Sequence, residues 1–176
     1  ESAALVLAGT GVFGSLLSIL KNSLLASRFG VTTDLDIYFA AFRIPDFFYS
    51  VLVFGVLSAG FIPIFSKSLL EGKEKAWQLV SSLMTVFVVT LGLAAVFVFI
   101  FAPKIAEILV PGFGSQAIGE VAKILRILMA QPILLAISSV IGSTLQSFRR
   151  FFAYSLAPVL YNVGIIIAIV FLAPVI

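Results

Sequence analysis

Five long apolar segments alternate with short polar stretches along this chain. The segments cover about residues 3–29, 36–65, 79–102, 120–147 and 153–172. A membrane-spanning helix needs about 20 predominantly apolar residues, and each segment meets that length. The pattern therefore predicts an all-α polytopic membrane protein with about five transmembrane helices, forming a single transmembrane domain over residues 1–176.

Composition supports this prediction and excludes several kinds of chemistry. The 176 residues are 61% hydrophobic and only 11% charged, whereas a soluble domain is about 45–50% apolar and about 25% charged. The chain has no His and no Cys, which excludes zinc–thiolate sites and a Ser-His-Asp triad within it. The sequence has no run of basic residues of the kind that is typical of nucleic-acid binding. We expect no catalytic residues, no cofactor, no metal and no nucleic-acid partner.

The first segment carries a stripe of polar and small residues on less than half of its circumference, at about 100° per residue. Small residues allow helices to pack closely, which accounts for Gly11 and Ser18. Lys21 lies too deep for an interfacial residue, and a charge near the bilayer centre costs at least ~2.5–3.5 kcal/mol. Lys21 is therefore interpreted as a functional cation. The stripe consists of Gly11, Gly14, Ser15, Ser18, Lys21, Asn22 and Arg28.

The second segment carries charge on one helical face. Arg43 and Asp46 are three residues apart and are expected to pair, so mutual neutralisation inside a bundle is an alternative to a functional role. Asp36 lies in the first turn, where the helix dipole favours an acid. Pro45 and Gly60–Pro63 predict a bent or broken helix. The polar face comprises Asp36, Arg43, Asp46, Tyr49 and Ser50.

Lys21 and Arg43 are expected at similar depth on adjacent antiparallel helices. Lys21 lies about 9 residues before the Gly30 turn, and Arg43 lies about 8 residues after the start of the second segment. At 1.5 Å per residue, each is about 12–14 Å below the same membrane surface. We therefore predict that both polar stripes face one shared cavity.

The remaining polar stretches are predicted to be loops at 66–78, 104–119 and 148–152. Pro103 is expected to end the third segment, with a short interfacial helix around 105–109. Pro132 is expected to kink the fourth segment. The predicted loops at 66–78 and 148–152 lie on the same side of the membrane, and this side carries five basic residues. The opposite side carries four. The positive-inside rule then favours a cytoplasmic N-terminus. The first set is Lys67, Lys73, Lys75, Arg149 and Arg150; the second is Arg28, Lys104, Lys123 and Arg126.

Several short motifs occur in order along nearly the whole chain. The first four are Phe29-Gly30, D-x-x-F-x-A-F-R-I-P at Asp36–Pro45, S-x-x-F-I-P at Ser58–Pro63, and Pro111-Gly112-Phe113. The last group lies where the fourth predicted helix joins the fifth and consists of Arg150-Phe151, Ala157-Pro158 and Asn162. Together they resemble the MurJ/MviN family of lipid II flippases, within the multidrug/oligosaccharidyl-lipid/polysaccharide exporter superfamily. That resemblance implies two lobes of six helices around a central cavity, followed by two further helices. This chain would form most of the first lobe, as a portion of a longer protein.

The resemblance also implies basic cavity residues that face the diphosphate of a lipid-linked precursor. Lys21, Arg43 and Asp36 keep the charge that the family carries at matching positions. Neutral residues stand at four other such positions: Ser15, Asn22, Tyr49 and Phe54. The substrate-binding candidates are Lys21, Arg43, Asp36, Asn22, Ser18, Asp46 and Tyr49.

The resemblance implies a non-enzymatic flippase in the bacterial cytoplasmic membrane, moving lipid II by alternating access. Its expected partners are the lipid-linked peptidoglycan precursor, membrane lipid and cell-wall synthesis proteins. Two alternatives remain open at this point. One is an exporter of another lipid-linked glycan or a small cation in the same superfamily. The other is a non-transporting membrane scaffold of a cell-wall synthesis complex.

Overall fold

The computed structural model describes residues 2–30 and 32–171, apart from the side chains of residues 2–8, 29, 34, 58 and 59. These residues form helices and connecting turns without a strand, which confirms the all-α prediction. Two π-helical stretches, Tyr49–Phe54 and Leu57–Phe61, lie between the second and third helices. The helices are α1 Ser2–Phe29, α2 Thr33–Phe48, α3 Ile62–Glu71, α4 Lys73–Leu109, α5 Ser115–Leu128, α6 Gln131–Ser147 and α7 Phe151–Phe171.

Four helical stretches are long and apolar enough to cross a membrane: Leu35–Phe54, Lys73–Leu109, Ser115–Ser147 and Phe151–Phe171. Helix α1 has 28 residues, about 42 Å at 1.5 Å per residue, against ~30 Å of hydrocarbon. Its sequence carries no charge before Lys21. The polytopic membrane class predicted from the apolar segments is thereby confirmed.

The second predicted segment is helical from Thr33 to Glu71, and its register changes in the two π-helical stretches. At the end of the first stretch the Gly55 N–H donates to the Ser50 carbonyl, five residues back. A proline removes one α-helical hydrogen bond and crowds the preceding turn, and a π-bulge is one way in which a helix absorbs such an interruption. The second stretch contains Gly60 and ends two residues before Pro63, so the helix changes register there and is not broken. The predicted bend stays a prediction.

The predicted loop at 66–78 is wrong, because α3 and α4 meet at one non-helical residue, Gly72. Its φ of 145° and ψ of 145° lie in a region of backbone conformation that residues other than glycine essentially avoid. The Gly72 N–H donates to the Ser68 carbonyl at 3.1 Å. Because Gly72 alone reverses the chain direction, a longer loop is not required. The polar residues on both sides of it therefore belong to the ends of α3 and α4.

Pro103 does not end its helix, contrary to the sequence prediction, and residues 105–109 continue α4. In an α-helix the N–H of residue 103 would bond to the carbonyl of Phe99, and proline has no such donor. The Nε of Arg126 on α5 donates to this Phe99 carbonyl at 3.1 Å. A side chain from the neighbouring helix thus satisfies the group that Pro103 leaves without an intrahelical partner.

The described chain separates into two compact units, and the larger one comprises Thr33–Thr144. One of its cores joins α2, α4 and α5 through Ala41, Val98 and Leu125. A second core joins the π-helical region and α3 to α4 and α6, with Phe65 and Leu91 fully buried. Next to Pro132, where the sequence predicted a kink in one helix, a turn at Met129–Ala130 divides the fourth segment into α5 and α6.

The smaller unit pairs α1 with α7 and includes the end of α6. Helix α6 ends in a Schellman arrangement, in which the Arg149 N–H bonds the Gln146 carbonyl and the Arg150 N–H bonds the Leu145 carbonyl, both at 2.9 Å. Arg149 has a φ of 57°, a conformation usually left to glycine. This compact turn confirms the short connection predicted near residue 149. The single transmembrane domain expected over residues 1–176 stays a prediction.

Candidate substrate site

Helix α2 divides its residues between a core face and a charged face. Ile37, Ala41 and Pro45 are buried in the larger unit, while Asp36 and Arg43 are exposed on the other side of the helix. Apolar spacing of three and four residues aims the first set at α4 and α5. The packing of α2 therefore turns its charges away from the core of its own unit.

The expected ion pair between Arg43 and Asp46 is wrong. Among the residues that the structure describes, no salt bridge joins them. The Asp46 carboxylate instead accepts a hydrogen bond from the Gln131 Nε2 at 3.4 Å, because the start of α6 brings this amide within reach of the short Asp side chain. Arg43 consequently has no carboxylate at salt-bridge distance within the described part of the chain, and its guanidinium is exposed.

Tyr49 also contacts α6. Its hydroxyl lies 2.9 Å from the Ser139 Oγ, and both side chains are partly buried. Sequence reasoning missed Gln131 and Ser139, although each is a polar residue within an apolar segment and so carried a signal. Two polar contacts thus tie the region from Asp46 to Tyr49 to a helix that follows it by more than 80 residues.

The candidates on α1 belong to the smaller unit. Lys21 is partly buried, and its Nζ lies 6.0 Å from the centroid of the Tyr161 ring on α7, at the outer limit of a cation–π contact. Asn22 is exposed. No carboxylate in the described residues lies at salt-bridge distance from Lys21, so its charge is available to an external anion.

Ser18 lines a cleft of about 350 Å³ between α1 and α7, with several polar side chains in its wall. The Ser15 Oγ donates to the Gly11 carbonyl at 3.0 Å, and the Asn162 Nδ2 donates to the Pro158 carbonyl at 3.0 Å. These bonds reduce the cost of keeping polar groups in an apolar medium. The lining residues are Thr10, Gly11, Gly14, Ser15, Ser18, Tyr154, Ser155, Pro158 and Asn162.

Together these features define a polytopic α-helical membrane protein whose charged residues are presented on helix faces within the apolar segments. Among the described residues, no cluster of three or more acidic side chains could hold a metal ion. Arginine and lysine are the side chains that proteins use for phosphate groups, as a planar fork and as a point charge respectively. Lys21 and Arg43, each in its own unit, are therefore each suited to binding an anion.

Comparison with known proteins agrees with this class. Residues 25–176 match the sequence profile of the family described as "MurJ: Lipid II flippase MurJ", and the chain belongs to that family. It is 26% identical over 165 residues to the "Probable lipid II flippase MurJ" of Rickettsia prowazekii, covering 93% of this chain and 32% of the relative. Two further relatives are named "Lipid II flippase MurJ". The one from Burkholderia cenocepacia is 26% identical over 98% of this chain and 34% of its own length. The one from Thermosipho africanus is 30% identical over 88% of this chain and 32% of its own length.

The chain thus spans about a third of the length of the curated relatives that it matches. The motifs that suggested the family all lie within the matched residues, which confirms the resemblance found in the sequence.

Proposed function

We propose that this chain forms most of the first lobe of a flippase that moves lipid II, the polyprenyl-diphosphate-linked peptidoglycan precursor, across the bacterial cytoplasmic membrane. Membership of the MurJ family supports the substrate class. The observation that carries the proposal is the charged face of α2, where Arg43 and Asp36 are exposed opposite a well-packed core face. An exposed charge within a membrane span is expensive and usually marks a substrate pathway.

In this proposal no bond is made or broken, so the protein is not an enzyme. Two lobes rock around a central cavity and expose it to each side of the membrane in turn. Arg43 holds the diphosphate with its planar fork, and Lys21 contributes a mobile point charge. Asp36 lies near the start of α2 and acts as a gate, or pairs with Arg43 in a state of the transport cycle other than the one described here.

The remaining candidates have supporting roles in the same proposal. Ser18 and Asn22 offer polar groups beside Lys21 on α1. Asp46 and Tyr49 fix α2 against α6 through Gln131 and Ser139, so they position the charged face. The bias of the basic residues places the N-terminus in the cytoplasm, and cell-wall synthesis proteins are the expected partner class.

The test replaces Lys21 and Arg43 one at a time by alanine in the full-length protein. Loss of a charged hydrogen-bonding group costs about 1.5–3 kcal/mol, so we expect each variant to lower lipid II translocation by roughly tenfold or more. Complementation of a flippase-depleted strain, with a blot for protein level, measures the effect. Lys21→Arg should retain activity, because arginine keeps a positive charge and hydrogen-bond donors at this position.

Lys67→Ala is the matched control, since this exposed lysine lies on α3 outside the proposed site. It should support normal growth. Full growth with both alanine variants at normal protein level would rule out the role of these cations.

A further inference from the structure

The contacts of Arg126 on α5 use only part of the hydrogen-bonding capacity of its guanidinium. Its Nε donates to the Phe99 carbonyl at 3.1 Å, and its guanidinium carbon lies 5.2 Å from the centroid of the Phe99 ring. An arginine has five N–H donors, and the described residues give this one no carboxylate partner. The terminal nitrogens therefore remain available as a fork that matches a phosphate.

An apolar cleft of about 330 Å³ adjoins this guanidinium. Its walls come from α4, the α5–α6 turn and the start of α6, and among the described residues Arg126 is the only charged one that lines it. None of the lining residues lies on α2, so the cleft is separate from the charged face described above. The other residues lining the cleft are Ala95, Val96, Phe99, Ile100, Met129, Ala130 and Ile133.

The position along α4 places this cleft at the depth of lipid headgroups. Helix α4 is free of charge from Ala76 to Pro103, about 28 residues or roughly 42 Å. That length matches a bilayer with its headgroup layers, about 40–45 Å, of which ~30 Å is hydrocarbon. Phe99 precedes Lys104 by about five residues, roughly 7.5 Å. It therefore lies near the boundary between headgroups and hydrocarbon, and Val96 lies about one turn deeper.

We propose that this cleft binds one anionic phospholipid, with its phosphate on the Arg126 guanidinium and an acyl chain along the apolar wall. The single cation at headgroup depth complements a phosphate, and the uncharged walls below it complement a hydrocarbon chain. Arg126 has no carboxylate at salt-bridge distance among the described residues, so a lipid phosphate can serve as its counter-ion at this depth. The Phe99 carbonyl orients the Arg126 side chain by accepting from its Nε.

The test uses the full-length protein in nanodiscs that contain phosphatidylglycerol with a photoactivatable diazirine in one acyl chain. After illumination, peptide mass spectrometry should find adducts on residues 95–100 and 129–133. Adducts on the exposed α7 residues Leu160 and Ile167 provide an internal measure of general lipid contact. Absence of cleft adducts from the native protein would overturn the proposal.

Arg126→Gln is examined in a Pro103→Ala background, because an alanine at that position supplies the backbone N–H that the Phe99 carbonyl otherwise lacks. In that background the substitution removes the headgroup contact without leaving the carbonyl unsatisfied. We expect cleft adducts to fall about tenfold relative to the α7 adducts, as for the loss of a charged hydrogen bond, while Pro103→Ala alone retains them. Val96→Trp, which fills the cleft but keeps Arg126, should also abolish them.

Two results would contradict this assignment. Cleft adducts that are unchanged by Arg126→Gln would mean that the cation does not hold the lipid. Equal adduct yields from the matching phosphatidylcholine probe would mean that the site does not select a net negative headgroup.

Discussion

At the scale of single residues, polar side chains in the larger unit are held by specific partners on other helices. The Tyr49 hydroxyl and the Ser139 Oγ are 2.9 Å apart, and the Asp46 carboxylate accepts from Gln131 at 3.4 Å. Arg43, three residues before Asp46, has no such partner among the described residues. Two charged side chains that are neighbours on one helix therefore differ: Asp46 is engaged by another helix, and Arg43 is available to a ligand.

The Tyr49–Ser139 contact should contribute measurably to stability. We expect Tyr49→Phe and Ser139→Ala each to destabilise the full-length protein, with a coupling free energy of about 0.6 kcal/mol, typical of interhelical hydrogen bonds in membrane proteins. A double-mutant cycle measured by chemical denaturation in micelles gives this coupling. Ser138→Ala, at the neighbouring exposed position, should be neutral, and additive effects of the two substitutions would contradict the contact.

At the scale of elements, proline and glycine have different consequences according to what surrounds them. Pro103 lies within α4, and Arg126 satisfies the carbonyl that the proline frees. Pro132 instead lies next to an interruption between α5 and α6. Gly72 alone reverses the chain between α3 and α4. The same residue type can therefore sit inside a helix or mark its end.

Gly72→Ala tests this reversal. An alanine at φ 145° and ψ 145° should destabilise the protein by roughly 1–3 kcal/mol, because its Cβ is strained in this region of backbone space. The thermal midpoint of the purified full-length protein should fall. Gly119→Ala is the control, since Gly119 lies within α5 with open space around it. That variant should be neutral or stabilising, and an equal fall in both variants would contradict the backbone explanation.

At the scale of the whole molecule, this chain covers about a third of the length of its relatives. Alternating access requires two lobes that move around a shared cavity. We therefore expect the 176-residue chain alone to insert into liposomes without translocating lipid II, while the full-length protein translocates it in the same liposomes. Clear transport by the isolated chain would contradict the two-lobe requirement.

The sequence by itself determined the class of the protein and the location of most helices. Long apolar segments have few alternatives to a transmembrane helix, since a bilayer leaves backbone groups no other partners. Ordered motifs identified the family. The charged face of α2 also followed from spacing alone, because residues three, four and seven apart share one side of a helix.

Only the tertiary structure decided which polar groups meet. Gln131 and Ser139 lie more than 80 residues from their partners on the helix that carries Asp46 and Tyr49, and no local pattern encodes such distances. The carbonyl that Pro103 leaves without an intrahelical partner likewise accepts from Arg126, a residue 27 positions along the chain. Backbone satisfaction in these helices is a property of packed neighbours, so it could not be predicted from either segment alone.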